Sequence, residues 1–387
     1  MSVTAPAGYL AAGAACGIKA SGGLDLALVA TADAAPATAA AVFTSNKATA
    51  APVVVSRRHL EATGGRTRAV ILSSGNANAA TGEVGEEAAR RMCTAVAAAL
   101  ACAPEEVLVC STGLIGIPLP LALVEEAAPA LAGALSAGGA AAAAEAILTT
   151  DTHAKQTIVH GDGFTIGGMA KGAAMLAPNM ATMLAVLTTD AAVEQPLLQE
   201  ALAAAVAGSF NTLSVDGCTS TNDTVIVLAN GRGTRPAPED LLAALHSACT
   251  ALTEQMAGDA EGATKVVRVT VAGAASDVEA ATGARKVAES QLCKCSWYGQ
   301  DPYWGRVVSE LGSAGIAFDP GRVSVAYGGT VVAAGGVAAP HDEAAVKAHM
   351  ADRHLQITAD LGMGSGMASI LTNDLTHAYV DENMGTS

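Results

Sequence analysis

The 387-residue sequence predicts a layered α/β fold in which much of the sheet is antiparallel. Predicted strands and helices are mixed rather than strictly alternating, which argues against a doubly wound nucleotide-binding fold. Arg322 to Tyr327 and Thr330 to Ala333 are two β runs around Gly328-Gly329, a pattern typical of a hairpin. Hydrophobic residues make up 51% of the chain and aromatic residues only 3%, so we expect a core of small side chains.

The remaining elements follow from hydrophobic runs and their flanking turn residues. The predicted strands are Leu26 to Ala30, Ala41 to Thr44, Pro52 to Ser56, Ala69 to Leu72, Val107 to Val109, Thr165 to Met169, Thr182 to Thr188, Thr224 to Leu228 and Val266 to Val271. The predicted helices are Glu83 to Ala101, Leu121 to Ile147 with a break near Ala137-Gly138-Gly139, Gln199 to Ala207 and Glu239 to Met256. No low-complexity linker and no internal repeat divides the sequence.

Charge and hydropathy exclude several classes of protein. The chain has 36 acidic residues against 21 Lys and Arg, a net charge of −15, and lacks the basic surface that nucleic-acid binding needs. No run of residues reads as a membrane span. The N-terminus has neither a basic region nor a leucine-rich segment, so we expect no secretory signal and a cytoplasmic protein.

The eight cysteines are scattered and are expected to be reduced thiols. Cys293 and Cys295 form a C-x-C pair, but no further Cys or His stands at a spacing that would complete a metal site. We therefore expect no metal.

Familiar catalytic motifs are absent, and Thr182 is the residue that stands out. A Pro178-Asn179 turn leads through Ala181 to Thr182, which begins a β run. Threonine is a weak nucleophile without a base, and an N-terminal threonine can use its own α-amine. That role needs cleavage of the Ala181–Thr182 bond. The residues by themselves leave open the alternative that Thr182 is an ordinary strand threonine.

Seven segments, in order along the chain, resemble the ornithine acetyltransferase family of arginine biosynthesis. They are Cys110 to Gly116, Thr149 to Thr152, Lys171 to Leu184, Val215 to Thr224, Glu261 to Lys265, Gly299 to Arg306 and Asn373 to Thr376. The resemblance extends from about Gly13 to the C-terminus.

This resemblance implies a four-layer αββα-type sandwich, related to but distinct from the N-terminal-nucleophile hydrolases. It implies self-cleavage into residues 1–181 and 182–387, two intertwined halves that assemble as two α and two β chains. The activity implied is acetyl transfer from N-acetylornithine to glutamate through an acetyl-Thr182 intermediate. No cofactor is implied, and acetyl-CoA is left open as a second acetyl donor.

The resemblance also implies roles for individual residues. Thr182 is the nucleophile, and cleavage falls between Ala181 and Thr182. Thr112 and Gly113 form the oxyanion hole, and a hydroxyl and a backbone N–H are donors that suit a tetrahedral intermediate. The implied substrate contacts are Thr149, Lys171, Thr182, Glu261, Asn383 and Ser387.

Two of these assignments have competitors nearby in the sequence. Thr150 and Thr152 share a motif with Thr149, and Thr386 competes with Ser387 for the C-terminal contact. Asp216, Asn222 and Asp223 are interpreted as Asx-turn residues without catalytic roles.

Two other functions compete with acetyl transfer. One is an aminopeptidase or amidase on the related self-cleaving scaffold, which would deliver the acyl group to water. The other is a non-catalytic binding or assembly protein in which the chain stays intact.

Overall fold

The computed structural model describes residues 2–175 and 183–385, which form three β-sheets and a set of helices. The strands are β1 (Tyr9–Ala14), β2 (Leu26–Thr31), β3 (Ala37–Phe43), β4 (Arg66–Thr67), β5 (Ala69–Asn76), β6 (Val107–Leu114), β7 (Lys155–His160), β8 (Thr165–Lys171), β9 (Leu184–Thr189), β10 (Leu213–Ser214), β11 (Thr224–Ala229), β12 (Val266–Ala274), β13 (Ser324–Tyr327), β14 (Thr330–Ala334), β15 (Val337–Ala338), β16 (His354–Asp360) and β17 (Gly366–Asn373). The helices are α1 (Ala51–Thr63), α2 (Gly82–Leu100), α3 (Leu121–Gly133), α4 (Ala140–Ala146), α5 (Gln195–Ala207), α6 (Pro238–Gly258), α7 (Asp277–Ala288), α8 (Gln291–Tyr298), α9 (Trp304–Gly312), α10 (Glu343–Ala351) and α11 (His377–Glu382).

Two of the sheets pack face to face between layers of helices. The first sheet has the order β1-β2-β5-β6, and the second has the order β4-β3-β11-β9-β8-β7. One hydrophobic core, which includes α4, lies between these sheets. A second core joins the first sheet to α1, α2 and α3, and a third joins the second sheet to α5 and α6. This arrangement confirms the predicted αββα sandwich.

The strands of the sandwich are apolar on both faces because each sheet is covered on both sides. Along β5, Val70 and Leu72 enter the core between the sheets, whereas Ala69 and Ile71 enter the core under the outer helices. This alternation follows from the two-residue period of a strand. It explains why the sequence shows continuous hydrophobic runs rather than alternating ones.

The third sheet, in the order β10-β17-β12-β16-β13-β14-β15, packs against α7, α8, α9 and α10. Its β13 and β14 form the predicted hairpin, with Gly328 at φ 57° and Gly329 at φ 83°. Val266 and Leu371 belong to the core of the second sheet, so the third sheet continues from the sandwich.

The strand predicted over Pro52 to Ser56 is wrong, because these residues lie in the first turns of α1. Proline is tolerated in the first helical turn, where its missing N–H has no helical partner to lose. Val53 and Val55 are buried, and Val55 belongs to the core between the first sheet and its outer helices. Ser56 Oγ donates to Val109 O at 2.7 Å and accepts from Val109 N at 2.9 Å. Tertiary packing therefore overrides the β propensity of this valine run.

The predicted break in the helix over Leu121 to Ile147 is confirmed, since α3 ends at Gly133 and α4 begins at Ala140. In the connection, the backbones of Ser136 and Ala11 exchange two hydrogen bonds at 3.0 and 3.1 Å. A Cβ on Gly139 would lie 1.8 Å from Ala11 O, so only glycine permits this close approach.

Strands from the chain before and after residues 176–182 interleave in the second sheet. The neighbours β8 and β9 pair antiparallel, and β11 lies between β9 and β3. Among the helices of the described ranges, none is long and apolar enough to cross a membrane.

We expect Gly139→Ala to lower the free energy of unfolding by about 1–3 kcal/mol, because the added methyl must displace the β1 backbone. The measurement is the urea midpoint. Gly138→Ala is the matched control, since its added Cβ would meet only the Ser136 hydroxyl at 3.9 Å. Equal midpoints for the two variants would contradict the close approach.

Candidate active site

A cavity of about 340 Å³ opens where β6 and β8 end. Six of the residues predicted to act in the site line it: Thr112, Gly113, Thr149, Lys171, Glu261 and Asn383. The predictions for Ala181, Thr182, Thr386 and Ser387 lie outside the described residues. The structure thus brings together parts of the chain that are up to 271 residues apart in sequence, from Thr112 to Asn383.

Lys171, the last residue of β8, joins the two sheets of the sandwich at this cavity. Its side chain is buried, and Nζ donates to Thr149 Oγ1 at 2.7 Å and to Thr112 Oγ1 at 3.3 Å. In the β8–β9 register Lys171 stands opposite Leu184. The residue that carries the ammonium is therefore paired with the first residue of β9.

Burial lowers the pKa of Lys171, and the nearby Lys155 ammonium lowers it further. The carboxylates of Asp151 and Glu261 act in the opposite direction. Asp151 Oδ2 lies 3.8 Å from Lys171 Nζ. The neighbouring carboxylates therefore offset part of the cost that burial imposes on the charged form of Lys171.

Thr112 and Gly113 lie near the end of β6, which is one of the two edge strands of the first sheet. Because Thr112 Oγ1 accepts from Lys171, its own hydrogen must point elsewhere, and within the described ranges it has no acceptor. Gly113 has φ 130°, and a Cβ there would lie 2.3 Å from the carbonyl carbon of Gly75. This position therefore requires glycine.

Glu261 also lines the cavity. It is 8% exposed, and its Oε2 accepts from Asn383 Nδ2 at 2.8 Å. The Glu261 backbone N–H donates to Ala173 O at 3.0 Å. Asp374 supports the same loop by accepting from the backbone N–H groups of Thr264 and Lys265, both at 2.9 Å.

Two carboxylates hold the backbone on either side of residues 176–182. Asp216 Oδ2 accepts from Met175 N at 2.6 Å, and Asp223 Oδ1 accepts from Met183 N at 2.9 Å. Asp216 Oδ1 also accepts from Cys218 N at 3.0 Å, which is the predicted Asx-turn geometry. Burial raises the pKa of Asp223 well above the usual carboxyl range.

Asn222 does more than the turn role that the sequence suggested. Its Nδ2 donates to Ala77 O at 2.6 Å and to Ser111 O at 2.9 Å. Through Asn222, these bonds link the loop after β5 to Ser111, the residue immediately before Thr112. The signal in the sequence was the polar run Thr219 to Asp223, but only the contact with the β6 backbone shows its purpose.

The structure distinguishes Thr149 from its neighbours in the motif. Thr149 bonds to Lys171, whereas the Thr152 hydroxyl donates to Asp259, and Thr150 also lines the cavity. Asp151, in the same motif, was missed by sequence reasoning. Burial alone would raise its pKa, but the ammonium groups of Lys171 and Lys155 lower it to about 2.

No group of three or more potential metal ligands occurs among the residues that the structure describes. Of the C-x-C pair, Cys293 is buried and Cys295 is exposed, and neither is in a disulfide. The cavity instead presents the Lys171 ammonium, the carboxylates of Asp216 and Glu261, and hydroxyl groups. Such a set can bind a small molecule carrying both charges and can stabilise a developing oxyanion.

The fold and the site together define a four-layer α/β sandwich enzyme with a small, charged cavity. The profile of the ArgJ family matches residues 10–385. The "Arginine biosynthesis bifunctional protein ArgJ" of Mycolicibacterium paratuberculosis is 50% identical, covering 100% of this chain and 96% of that protein. The protein of the same name from Streptomyces coelicolor is 46% identical and covered fully in both chains.

Among solved structures, an ornithine acetyltransferase from Mycobacterium tuberculosis, in complex with ornithine, is 46% identical, with a TM-score of 0.44. The match covers 47% of this chain and 96% of that one. The family match over nearly the whole chain and the identity to the curated relatives establish the assignment. This chain belongs to the ArgJ family and is an acetyltransferase.

We expect Asn222→Asp to lower the free energy of unfolding by about 2 kcal/mol or more at pH 7, because a carboxylate would face two carbonyl oxygens. That contact raises the folded-state pKa of the new carboxyl above its unfolded value near 3.9. The penalty is therefore largest at neutral pH and shrinks as the pH falls towards about 4. Urea midpoints at pH 7 and pH 5 measure both effects.

Asn230→Asp is the control for this prediction. Asn230 Nδ2 also donates to a carbonyl, Ala7 O at 2.8 Å, but at the protein surface, where water solvates a carboxylate. A pH-independent loss in Asn222→Asp would contradict the assigned contacts.

Proposed function

We propose that this enzyme transfers the acetyl group of N-acetylornithine to glutamate, with Thr182 as the nucleophile. The observation that carries the proposal is the Lys171 ammonium, which donates to both Thr112 and Thr149 in a cavity that Glu261 also lines. N-acetylornithine carries a carboxylate and a side-chain ammonium. Lys171 complements the first and Glu261 the second.

The relatives support the choice of substrate. The curated relatives are named for arginine biosynthesis, and the structure from M. tuberculosis was determined with ornithine. Ornithine is the product that remains when N-acetylornithine gives up its acetyl group. Glutamate, the proposed acceptor, also carries an α-carboxylate that Lys171 can bind.

Self-cleavage would prepare the nucleophile. In our proposal the Thr182 hydroxyl attacks the Ala181 carbonyl, the acyl group moves from nitrogen to oxygen, and water hydrolyses the ester. The products are residues 1–181 with a new carboxyl group and residues 182–387 with a free α-amine. The backbone bonds from Asp216 to Met175 and from Asp223 to Met183 hold the described chain on both sides of this bond.

Acetyl transfer then follows in two half-reactions. The Thr182 α-amine accepts the hydroxyl proton as Oγ attacks the acetyl carbonyl, and it returns this proton to the departing amine of ornithine. The glutamate amine next attacks the acetyl ester and regenerates the threonine. In both steps the Thr112 hydroxyl and the Gly113 N–H donate to the oxyanion, and the Lys171 ammonium polarises the Thr112 hydroxyl.

The proposal extends to assembly and to the acetyl donor. Because β8 and β9 are neighbours in one sheet, residues 1–181 and 182–387 would remain associated after cleavage. We propose an assembly of two chains of each kind. The acetyl group is carried by Thr182, so the reaction needs no cofactor.

Intact mass measured with and without N-acetylornithine tests the nucleophile, processing and donor together. We expect the 38.1 kDa chain to appear as two fragments, of which residues 182–387 gain one acetyl group. Thr182→Ala should stay as one chain and transfer no acetyl group. Acetyl-CoA in place of N-acetylornithine tests the second donor.

Other mass outcomes would favour the competing functions. Cleavage without a detectable acetyl adduct, combined with release of free acetate or hydrolysis of amino-acid amides, would indicate the amidase. An intact wild-type chain with no adduct would contradict the mechanism.

Thr112→Ala should lower kcat by about a hundredfold or more, because an oxyanion donor is lost. The assay uses fully cleaved protein, so that slower processing does not enter the rate. Thr112→Ser keeps the hydroxyl and should retain most of the activity. Equal kcat values for the Ala variant and the wild type would remove Thr112 from the oxyanion hole.

A further inference from the structure

Three charged side chains, Asp151, Lys155 and Asp259, are buried together behind the cavity, and we refer to them as the buried triad. The side chains of Asp151 and Lys155 are fully buried, and that of Asp259 is 5% exposed. Lys155 Nζ lies 2.5 Å from Asp151 Oδ1 and also donates to Asp259 Oδ2. Even a paired buried ion loses its hydration, so burying three charges together is costly in free energy. That cost calls for a structural or functional role of this cluster.

Asp151 connects the triad to the cationic wall of the cavity. Its Oδ2 accepts from Thr149 N at 3.1 Å and lies 3.8 Å from Lys171 Nζ. Its Oδ1 accepts from Gly172 N at 2.7 Å. One carboxylate therefore orients both Thr149 and Lys171, and Lys171 is the residue proposed to meet the substrate carboxylate.

Asp259 connects the triad to the anionic wall. It follows the last residue of α6 and precedes Glu261 by two residues, with the buried Ala260 between them. Asp259 Oδ2 accepts from Thr152 N at 2.9 Å, so the two loops are joined through this carboxylate as well as through Lys155. A shift of Asp259 would therefore move the Glu261 loop relative to Asp151.

The charges around Lys155 balance. Asp151 and Asp259 neutralise Lys155 and Lys171, and His153, on the exposed side, lies 3.2 Å from Asp259 Oδ1. The pKa of Asp259 is lowered, since hydrogen bonds from Lys155 and Thr152 outweigh the effect of burial. Both carboxylates thus stay ionised at neutral pH and hold Lys155 from two sides.

We propose that the buried triad fixes the separation between Lys171 and Glu261 and thereby sets the length of the substrate side chain that the enzyme accepts. This inference rests on the proposed function. In it the three residues are positioning residues, since they lie behind the residues that line the cavity. N-acetyllysine carries the same charged groups as N-acetylornithine but is longer by one methylene, so a fixed separation discriminates between them.

The test is the ratio of kcat/KM for N-acetylornithine to that for N-acetyllysine. Both values come from one preparation, so the ratio does not depend on the fraction of enzyme that is folded or cleaved. A single methylene is worth about 10- to 200-fold in a well-defined pocket. Wild type should prefer N-acetylornithine within that range.

The principal variant is Asp259→Asn, which has the same shape and still offers an oxygen to Thr152 but lacks the charge that holds Lys155. We expect its ratio to fall by about fivefold or more, mainly through a higher KM for N-acetylornithine. Lys155→Met should shift the ratio in the same direction. In the double variant the two effects on this ratio should not add, because each substitution breaks the same contact between Lys155 and Asp259.

Glu254→Gln is the matched control. Glu254 lies on α6 and loses its charge in the same way, but its partner is the exposed Arg268 at 3.5 Å. Its ratio should equal that of the wild type. A ratio in Asp259→Asn equal to that of Glu254→Gln, or a wild type without preference, overturns the role of the triad. A wild type that transfers no acetyl group from N-acetylornithine instead overturns the proposed function.

Discussion

The site depends on the two hydrogen bonds that the Lys171 ammonium donates to the hydroxyls of Thr112 and Thr149. Thr112 belongs to the first sheet and Lys171 to the second, so the bond closes the sandwich at the end where the cavity lies. A buried ammonium needs compensating groups, and those groups occupy the surrounding loops. The arrangement of the cavity follows from this requirement.

Asp151 is the carboxylate that lies near the Lys171 ammonium. Asp151 also pairs with Lys155, which in turn pairs with Asp259. Each carboxylate also accepts backbone N–H groups, which fixes loops that carry no regular structure of their own. Replacing such a network by apolar residues can leave stability unchanged, and in our proposal its value lies in specifying one geometry. That geometry relates the Lys171 ammonium to the Glu261 carboxylate in the same cavity.

Small side chains make the compact sandwich possible. Alanine is the commonest residue in the core between the first and second sheets, and close approaches such as Gly139 to Ala11 and Gly113 to Gly75 leave no room for a Cβ. The low aromatic content of the chain is consistent with this packing. Precise backbone contacts therefore replace bulky side chains in placing the loops of the site.

The sequence by itself determined the class of fold, the hairpin around Gly328-Gly329 and the break before α4, because local turn chemistry and hydrophobic runs specify these features. Its ordered motifs also identified Lys171, Thr112 and Glu261, which the structure brings into one cavity. The prediction of a strand over Pro52 to Ser56 was wrong, because burial of these residues in the tertiary structure decides between strand and helix. Only the tertiary structure showed that Asn222 holds the β6 backbone and that Asp151, Lys155 and Asp259 share one buried network. Hydrogen bonds and ion pairs between residues about a hundred positions apart leave no periodic signal in a single sequence, since they depend on where the folded chain brings those residues together.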